Sequence, residues 1–254
     1  MALAVAVLLP AAVVNHPDVA TIVARSVAAN ERDWNVAPKY DFMERDRDGR
    51  GTRTYQVTTI LGSPYDRLVA VNGTPLSSAA RDREEQKMER TIAERRRESR
   101  AETDERIARY RKEREQDHVM LSQLTKAFDF HFVRQQRMGP YSVYVLKATP
   151  RAGYQPPNME AQALTGMEGT MWVDQQTFEW VKVEAHVVHP VSIDGFLARV
   201  EPGTWFEMEK SPVGGGIWLP SHFAMRSRAK VLYVINRGSQ DDETYYEYKP
   251  RSVS

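Results

Sequence analysis

Apolar residues recur every three or four positions soon after the start of the chain. This apolar stripe consists of Val19, Ile22, Val23 and Val27. Residues with that spacing lie on one face of an α-helix, and Pro17 and Asp18 suit its first turn. The pattern predicts an amphipathic helix that ends near Trp34, before Pro38, and lies with its apolar stripe against another element.

After this helix the pattern changes to an alternation of apolar and polar residues. Residues 39–47 and 51–61 alternate around an Asp- and Gly-rich turn at 46–51, which predicts two strands joined by a hairpin turn. The segment has acidic residues at several EF-hand positions, but Tyr55 stands where a calcium loop requires a bidentate Glu. We therefore favour the hairpin, followed by a third strand at 65–73 that ends in an Asn-Gly turn.

Most of the predicted sheet comes from the second half of the chain. Alternating segments occupy 128–136, 141–150, 169–174, 178–188, 203–210, 216–235 and 243–249. About ten or eleven strands in neighbouring hairpins predict a meandering antiparallel sheet, and a sheet this wide must curl. The predicted fold class is mainly β with helices (α+β). We expect a strongly curved antiparallel half-barrel packed around the N-terminal helix.

Residues 76–127 form a charged helical insertion between the two groups of strands. The part from Arg81 to Asp117 holds 13 basic and 12 acidic residues and has no Pro or Gly. Ser77 and Ser78 can cap its start. We expect residues 79–126 to be mainly helical, with room for one break. Because apolar residues are dense only near the ends, we expect the ends to dock and the charged centre to project into solvent.

The first residues are apolar over a length typical of a signal peptide. Residues 1–14 match the hydrophobic region of such a peptide and are too short to span a bilayer. No Lys or Arg precedes this run, which leaves a cytosolic chain with an apolar start as the alternative. We favour export to the periplasm or secretion, with 15–254 as a single domain.

Composition excludes several classes of function. The chain has 254 residues, with 35 basic against 34 acidic, so no overall field attracts it to nucleic acid. The absence of Cys excludes disulfides, thiolate metal sites and a Cys nucleophile. The chain is also too polar for an integral membrane protein with several spans.

No catalytic motif, cofactor or metal site is predicted. The chain has no GxSxG, HExxH, P-loop or GxGxxG sequence. His186 and His189 are three apart on a predicted strand and face opposite sides. Glu207 and Glu209 share a face with Trp205, which is typical of a solvated row. A hydrolase whose residues meet only in space is a less favoured alternative.

Strand parity predicts candidate ligand-binding residues. In each strand one set of alternate positions is the more apolar, and these sets should converge on the concave side of the curled sheet, beneath the N-terminal helix. The candidates for a hydrophobic cavity are Val57, Val69, Phe132, Val145, Met171, Val183, Phe206, Met208, Phe223 and Met225. They serve as core in any case, and a binding function requires spare room among them.

One predicted hairpin resembles a known family. A strand ending in Trp-Val-Asp at 172–174, a tight turn and a strand carrying Val-Lys-Val-Glu at 181–184 resemble the hairpin of the bacterial lipoprotein-localisation (LolA/LolB-like) superfamily. The segments FDFHF, GTMWVD and IWLPSHF are similar to those of its uncharacterised secreted relatives. The resemblance implies a curved antiparallel sheet wrapped around helices, with an apolar cavity for acyl chains.

These observations support two main hypotheses of function. The first is a non-catalytic periplasmic protein that binds or carries a lipid, lipoprotein acyl chains or another hydrophobic small molecule. The second is a structural or interaction protein of the cell envelope, whose long charged helix contacts an envelope protein. A contiguous apolar surface with spare room favours the first, and a surface filled by large side chains favours the second.

Overall fold

The N-terminal helix begins and ends close to the predicted positions. The computed structural model describes residues 17–193, 198–231 and 235–251. Helix α1 (Val19–Val36) is capped by the Asp18 carboxylate, which accepts a hydrogen bond from the Thr21 backbone N–H at 2.9 Å. The predicted signal segment 1–14 lies outside the described residues.

Thirteen described strands form one sheet. They are β1 (Tyr40–Asp48), β2 (Gly51–Ile60), β3 (Ser63–Val71), β4 (Thr74–Pro75), β5 (Phe128–Met138), β6 (Tyr141–Pro150), β7 (Met167–Asp174), β8 (Trp180–Val187), β9 (Val191–Ile193), β10 (Ala198–Val200), β11 (Trp205–Gly214), β12 (Ile217–Val231) and β13 (Ile235–Pro250). The order is β4-β3-β2-β1-β13-β12-β11-β8-β7-β6-β5, and β10 pairs with β12 and β9.

The ladders between these strands are antiparallel, so the α+β class and the antiparallel sheet are confirmed. The predicted hairpin joins β1 to β2, with Asp48 opposite Gly51. The first long strand also pairs with the last, and Tyr40 lies opposite Pro250. The strong curvature stays a prediction.

Helix α1 covers one face of the sheet, here called the inner face. Its apolar residues Ile22 and Val23 pack in one buried cluster with side chains from β6, β7 and β8. The cluster members on these strands are Tyr144, Leu146, Met171, Val173, Trp180 and Val183. The apolar stripe of α1 therefore lies where the sequence predicted, against the sheet.

The charged insertion is helical with one break. Helix α2 (Ser78–Arg97) is capped by Ser77, and helix α3 (Arg100–Ala127) begins after two extended residues, Glu98 and Ser99. Ser99 and Glu102 form a reciprocal capping box, which stabilises the new helix start. The predicted helix, its Ser cap and the break are confirmed. A short helix α4 (Met159–Gln162) precedes β7.

The expectation that the charged centre projects into solvent is wrong. The Arg95 guanidinium donates hydrogen bonds to the carbonyl oxygens of Ile60 at 2.7 Å and Ser63 at 2.9 Å, so the break between α2 and α3 docks on the β2–β3 turn. Further along α3, the Arg114 guanidinium donates to the Trp34 carbonyl oxygen at 2.7 Å. Long Arg side chains thus dock a segment that has few apolar residues.

Among the helices that the structure describes, none is long and apolar enough to cross a membrane.

Candidate ligand-binding face

Half of the predicted cavity residues lie in the layer between α1 and the sheet. Met171 and Val183 are buried members of the α1 cluster, and three further candidates pack against it while remaining partly exposed. Those three are Phe132, Phe206 and Met208. The prediction that these positions share the helix-covered face is therefore correct. Their role in binding a ligand is not tested by this placement.

Two more candidates extend the inner face onto the neighbouring strand. Met225 lies directly opposite Phe206, and Phe223 lies directly opposite Met208, in the β11–β12 ladder. Residues directly opposite one another in an antiparallel pair share a face. Both side chains are partly exposed. An apolar row therefore crosses the inner face from β5 to β12, and it is partly accessible at Phe132 on β5 and on β11 and β12 but buried in between.

Val145 lies on the opposite face, which corrects the prediction for β6. It belongs to a separate buried cluster with Val143, Val181 and Trp218. The inner positions of β6 are instead Tyr144 and Leu146. Strand β6 is apolar on both faces because Trp218 covers its outer side, and hydrophobicity alone cannot fix the parity of such a strand.

The remaining two candidates lie far from α1. Val57 is buried at 7% exposure on β2, opposite Phe42. Val69 occupies the extra position of a β-bulge in β3, where Tyr55 pairs with Leu68 and Thr54 pairs with Ala70. Strands β2 and β3 are separated from β11 by β1, β13 and β12. The ten candidates therefore do not form one compact cavity.

The layer under the helices is closely packed. One cavity in it has a volume of about 30 Å³ and is lined by residues from the C-terminal part of α3, from strands β5 to β8 and from β11. Leu124, Phe130 and Met171 contribute to its lining. A space of this size holds about one water molecule. An acyl chain can therefore enter only if a helix or several side chains move.

A buried polar network, which the sequence analysis missed, anchors α1 to the sheet. The Lys210 ammonium donates hydrogen bonds to Asn30 Oδ1 at 2.9 Å, to Asp33 Oδ2 at 3.0 Å and to Glu179 Oε2 at 3.1 Å. Asp33 Oδ2 also accepts a hydrogen bond from the Trp218 backbone N–H at 3.1 Å. These contacts bind the C-terminal half of α1 to β11, β12 and the turn before β8.

The network holds two carboxylates in a nearly dry site. Asp33 is 2% exposed and Glu179 is 0% exposed, and Arg32 contacts Glu179 from the surface at 2.5 Å. Burial and the neighbouring Asp33 carboxylate raise the pKa of Glu179 to about 7, against the lowering effect of Lys210. The network had a signal in the sequence, since Ser26, Asn30 and Asp33 continue the buried stripe of α1 as polar residues.

At its other end the inner face carries aromatic and acidic side chains. Phe42 lies 5.2 Å from Tyr248 and 5.9 Å from Tyr245, measured between ring centroids. Glu44 lies directly opposite Tyr245 in the β1–β13 ladder, and Tyr245 donates a hydrogen bond to Glu243. We call the part of the inner face on β13, β1, β2 and β3 the open end. The part beneath α1 is the packed end.

The carboxylates of the open end repel one another. Burial and the nearby charges of Glu243, Asp66 and Asp46 raise the pKa of Glu44 to about 7. Burial also raises the pKa of Asp66. Both carboxylates are therefore more easily protonated than an exposed Asp or Glu.

Glu207 and Glu209 lie on the outer face and form an ion-paired row with Lys182. Lys182 contacts Glu207 at 2.9 Å and Glu209 at 3.5 Å, which agrees with the solvated row expected from the sequence. His222 on β12 lies 3.7 Å from Glu207 and 3.3 Å from Asp242. Within the described residues, no group of three His, Asp or Glu side chains is placed to hold a metal ion.

Comparisons with known proteins find similar structures only. No family model and no curated protein matches the chain. A LolA superfamily protein from Nitrosomonas europaea has 12% identity and a TM-score of 0.33, with 92% of this chain and 94% of that chain covered. A putative outer membrane lipoprotein-sorting protein domain from Vibrio parahaemolyticus has 11% identity and a TM-score of 0.35, with 91% and 94% covered.

A third similar structure is a DUF1329 family protein from Desulfovibrio piger. It has 10% identity and a TM-score of 0.32, with 91% of this chain and 94% of that chain covered. The similar structures thus include a member of the LolA superfamily, the group that the sequence resembles.

Proposed function

We propose that this chain binds an elongated hydrophobic ligand, such as a lipid acyl chain, on its inner face and performs no chemistry on it. The observation that carries the proposal is the set of partly exposed Phe and Met side chains in the apolar row, which are Phe206, Met208, Phe223 and Met225 on β11 and β12 and Phe132 at the far end on β5. Flexible Met side chains adapt to varied apolar ligands, and clefts lined mainly by apolar groups are typical of such sites.

Binding requires the packed end to open. The N-terminal half of α1 packs on the sheet through Val19, Ile22 and Val23, whereas its C-terminal half is anchored by Asn30 and Asp33. Apolar contacts are non-directional, so an acyl chain can replace those of the N-terminal half. In this proposal the sheet is strongly curved around the ligand, as the sequence predicted, and α1 pivots about its anchored end.

We further propose that the protein acts in the periplasm or after secretion. The apolar segment 1–14 and the predicted export support this location. The second hypothesis, an envelope interaction protein with the long helix as its contact element, has less support because α2 and α3 dock on this chain's own sheet and on α1.

The proposal is tested with the neutral probe N-phenyl-1-naphthylamine, which fluoresces in apolar surroundings. Met208→Trp and Met225→Trp fill the apolar row, and we expect each to weaken probe binding at least fivefold. Met43→Trp is the matched control, because Met43 lies opposite Gln56 and Tyr246 on the outer face. Its binding should change less than twofold.

Urea unfolding separates loss of binding from loss of folding. Overpacking of a filled core costs about 1–3 kcal/mol, so a large loss of stability in both inner-face variants would indicate a core with no room for a ligand. The proposal fails if the unaltered protein does not bind the probe. It fails equally if all three Trp variants bind as the unaltered protein does.

A further inference from the structure

The open end is a sheet face whose composition differs from that of the rest of the inner face. None of its residues belongs to the buried cluster under α1. Apart from the buried Val57, its inward positions are partly or fully exposed, and Asp66 is among the exposed ones. Its aromatic side chains include Phe42, Tyr55, Tyr245 and Tyr248, its acidic ones include Glu44, Asp46, Asp66, Asp241 and Glu243, and it also carries the basic Arg53.

Two of these carboxylates have no partner in the described chain. Glu44 and Asp66 form no ion pair or hydrogen bond with any described residue. Asp46 lies directly opposite Glu243, and like charges in that position destabilise a sheet. Arg53 lies directly opposite Asp46 on β2 and contacts Asp48 at 3.6 Å. The open end therefore keeps an excess of negative charge that a bound cation would neutralise.

The rings specify what kind of cation fits. Phe42 contacts both Tyr245 and Tyr248, and Tyr40 lies 6.3 Å from Tyr248, so the carboxylates adjoin a continuous aromatic surface. An alkylated ammonium group is attracted to the faces of aromatic rings and to carboxylates at once. A divalent metal ion takes oxygen ligands alone and gains nothing from the rings.

The strand register connects this surface to the apolar row. Met208 lies opposite Phe223, Phe223 opposite Glu243, and Glu243 opposite Asp46. These residues share the inner face, and the three steps between neighbouring strands from β11 to β1 span about 14 Å. One extended molecule can therefore have its apolar part on β11 and β12 and its polar end on β13 and β1.

We propose that the ligand is a cationic amphiphile, with its alkyl chain on the apolar row and its ammonium head group on the carboxylates and rings of the open end. This inference rests on the proposed function and adds the charge of the ligand to it. Glu44 and Asp66 bind the ammonium group by charge, and Phe42 and Tyr248 contact its alkyl substituents.

The test compares amphiphiles with the same chain, below their micellar concentrations, by isothermal titration calorimetry. Dodecyltrimethylammonium should bind at least tenfold more tightly than dodecyl sulfate. The double variant Glu44→Gln/Asp66→Asn should reduce its affinity at least tenfold and leave N-phenyl-1-naphthylamine binding unchanged. The matched control Asp82→Asn/Glu89→Gln makes the same change of charge at exposed positions on α2 and should have less than a twofold effect.

A ring variant tests the aromatic contribution without a change of charge. Phe42→Leu keeps an apolar side chain and should weaken dodecyltrimethylammonium binding about threefold, an effect of the size expected for one cation–π contact. In the unaltered chain the carboxylates of Glu44 and Asp66 are repelled by neighbouring carboxylates. The double variant removes this repulsion, so we expect it to fold. Thermal unfolding followed by circular dichroism checks this.

The possible failures are distinguishable. If the neutral probe does not bind the unaltered protein, the proposed function itself fails. If the neutral probe binds but dodecyl sulfate binds as tightly as dodecyltrimethylammonium, only the inference about the head group fails. Tetramethylammonium binding as tight as that of the amphiphile would also overturn it, since the alkyl chain would then contribute nothing.

Discussion

The two ends of the inner face show opposite ways of using the same sheet. At the packed end, α1 covers buried apolar residues, and its buried charges are matched by Lys210. At the open end, rings and carboxylates are only partly covered, and Glu44 and Asp66 lack a partner within the described chain. The comparison indicates that the packed end supplies stability, while the open end gives up stability to present charge.

Helix α3 connects the two ends. Near its start, Arg106 donates a hydrogen bond to Ser63 Oγ at 2.8 Å, at the turn that begins β3. Two turns later Arg114 contacts Trp34 at the end of α1. One helix therefore contacts both the start of β3 and the C-terminal end of α1.

The largest effect is expected when Lys210, the central cation of the packed end, is replaced. We expect Lys210→Met to lower the free energy of unfolding by about 3–5 kcal/mol, because the buried Asp33 and Glu179 carboxylates lose their shared partner. Urea unfolding followed by Trp fluorescence measures the loss, and amide hydrogen exchange should become faster in α1.

Lys147→Met is the matched control for this experiment. Lys147 pairs with Glu168 at 3.0 Å on the surface and is half exposed, so its loss should cost less than about 1 kcal/mol. Equal losses in the two variants would show that the buried network does not anchor α1.

A smaller change tests the connection between the two ends. We expect Arg114→Ala to cost about 2 kcal/mol, since it removes the hydrogen bond to the Trp34 carbonyl and the guanidinium stacked 4.2 Å from the Trp34 ring centroid. Arg109→Ala, which removes an exposed pair with Glu105, should cost less than about 0.5 kcal/mol. Equilibrium unfolding of both variants decides this, and a cost for Arg114→Ala no greater than for its control would contradict the docking of α3.

The smallest effect concerns the charge of the open end and depends on pH. The pKa of Glu44 is raised to about 7 in the folded chain, above its ordinary value of 4.5, by burial and by Glu243, Asp66 and Asp46. Its protonated form therefore contributes stability that is fully present below pH 4.5 and is lost as the pH rises through 7. We expect Glu44→Gln to match the unaltered protein at pH 4.

At pH 8 the same variant should be more stable than the unaltered protein by about 1 kcal/mol, after allowance for solvent screening. Urea unfolding at both pH values, with Glu89→Gln as the exposed control, measures the difference. A difference that is the same at both pH values would show that the Glu44 carboxylate is not destabilised by its surroundings.

Local patterns were sufficient to predict the longer helices and strands of this fold, but not the short elements α4, β4, β9 and β10. The period of the apolar residues located α1 and most strands, and Ser77 indicated the start of α2. Antiparallel neighbours follow from short connections between such strands. The pattern failed at β6, which is apolar on both faces, and a simple alternation does not hold at β8, where a bulge turns Val181 outward and leaves Val183 inward.

The docking of the charged helix depends on interactions that periodicity does not encode. Arg95 and Arg106 contact backbone and side-chain oxygens of residues about 30 to 45 positions away, as the hydrogen bonds to Ile60 and Ser63 show. No local sequence pattern indicated the open end. Its carboxylates alternate with exposed Arg residues along β1, and only the β1–β13 pairing brings Glu44 beside Tyr245.

The pairing of β1 with β13 also determines when this protein can fold. The β1–β13 ladder pairs Tyr40 with Pro250, so it can form only when the whole chain between them is present. Contacts between residues so distant in sequence form slowly. A β1–β2 hairpin that forms before β13 has been synthesised has an unpaired edge on β1, and such an edge can pair with other chains. The sheet is therefore completed only after its last strand, β13, has been translated. A chaperone that keeps the growing chain unfolded would prevent the edge of β1 from pairing with other chains.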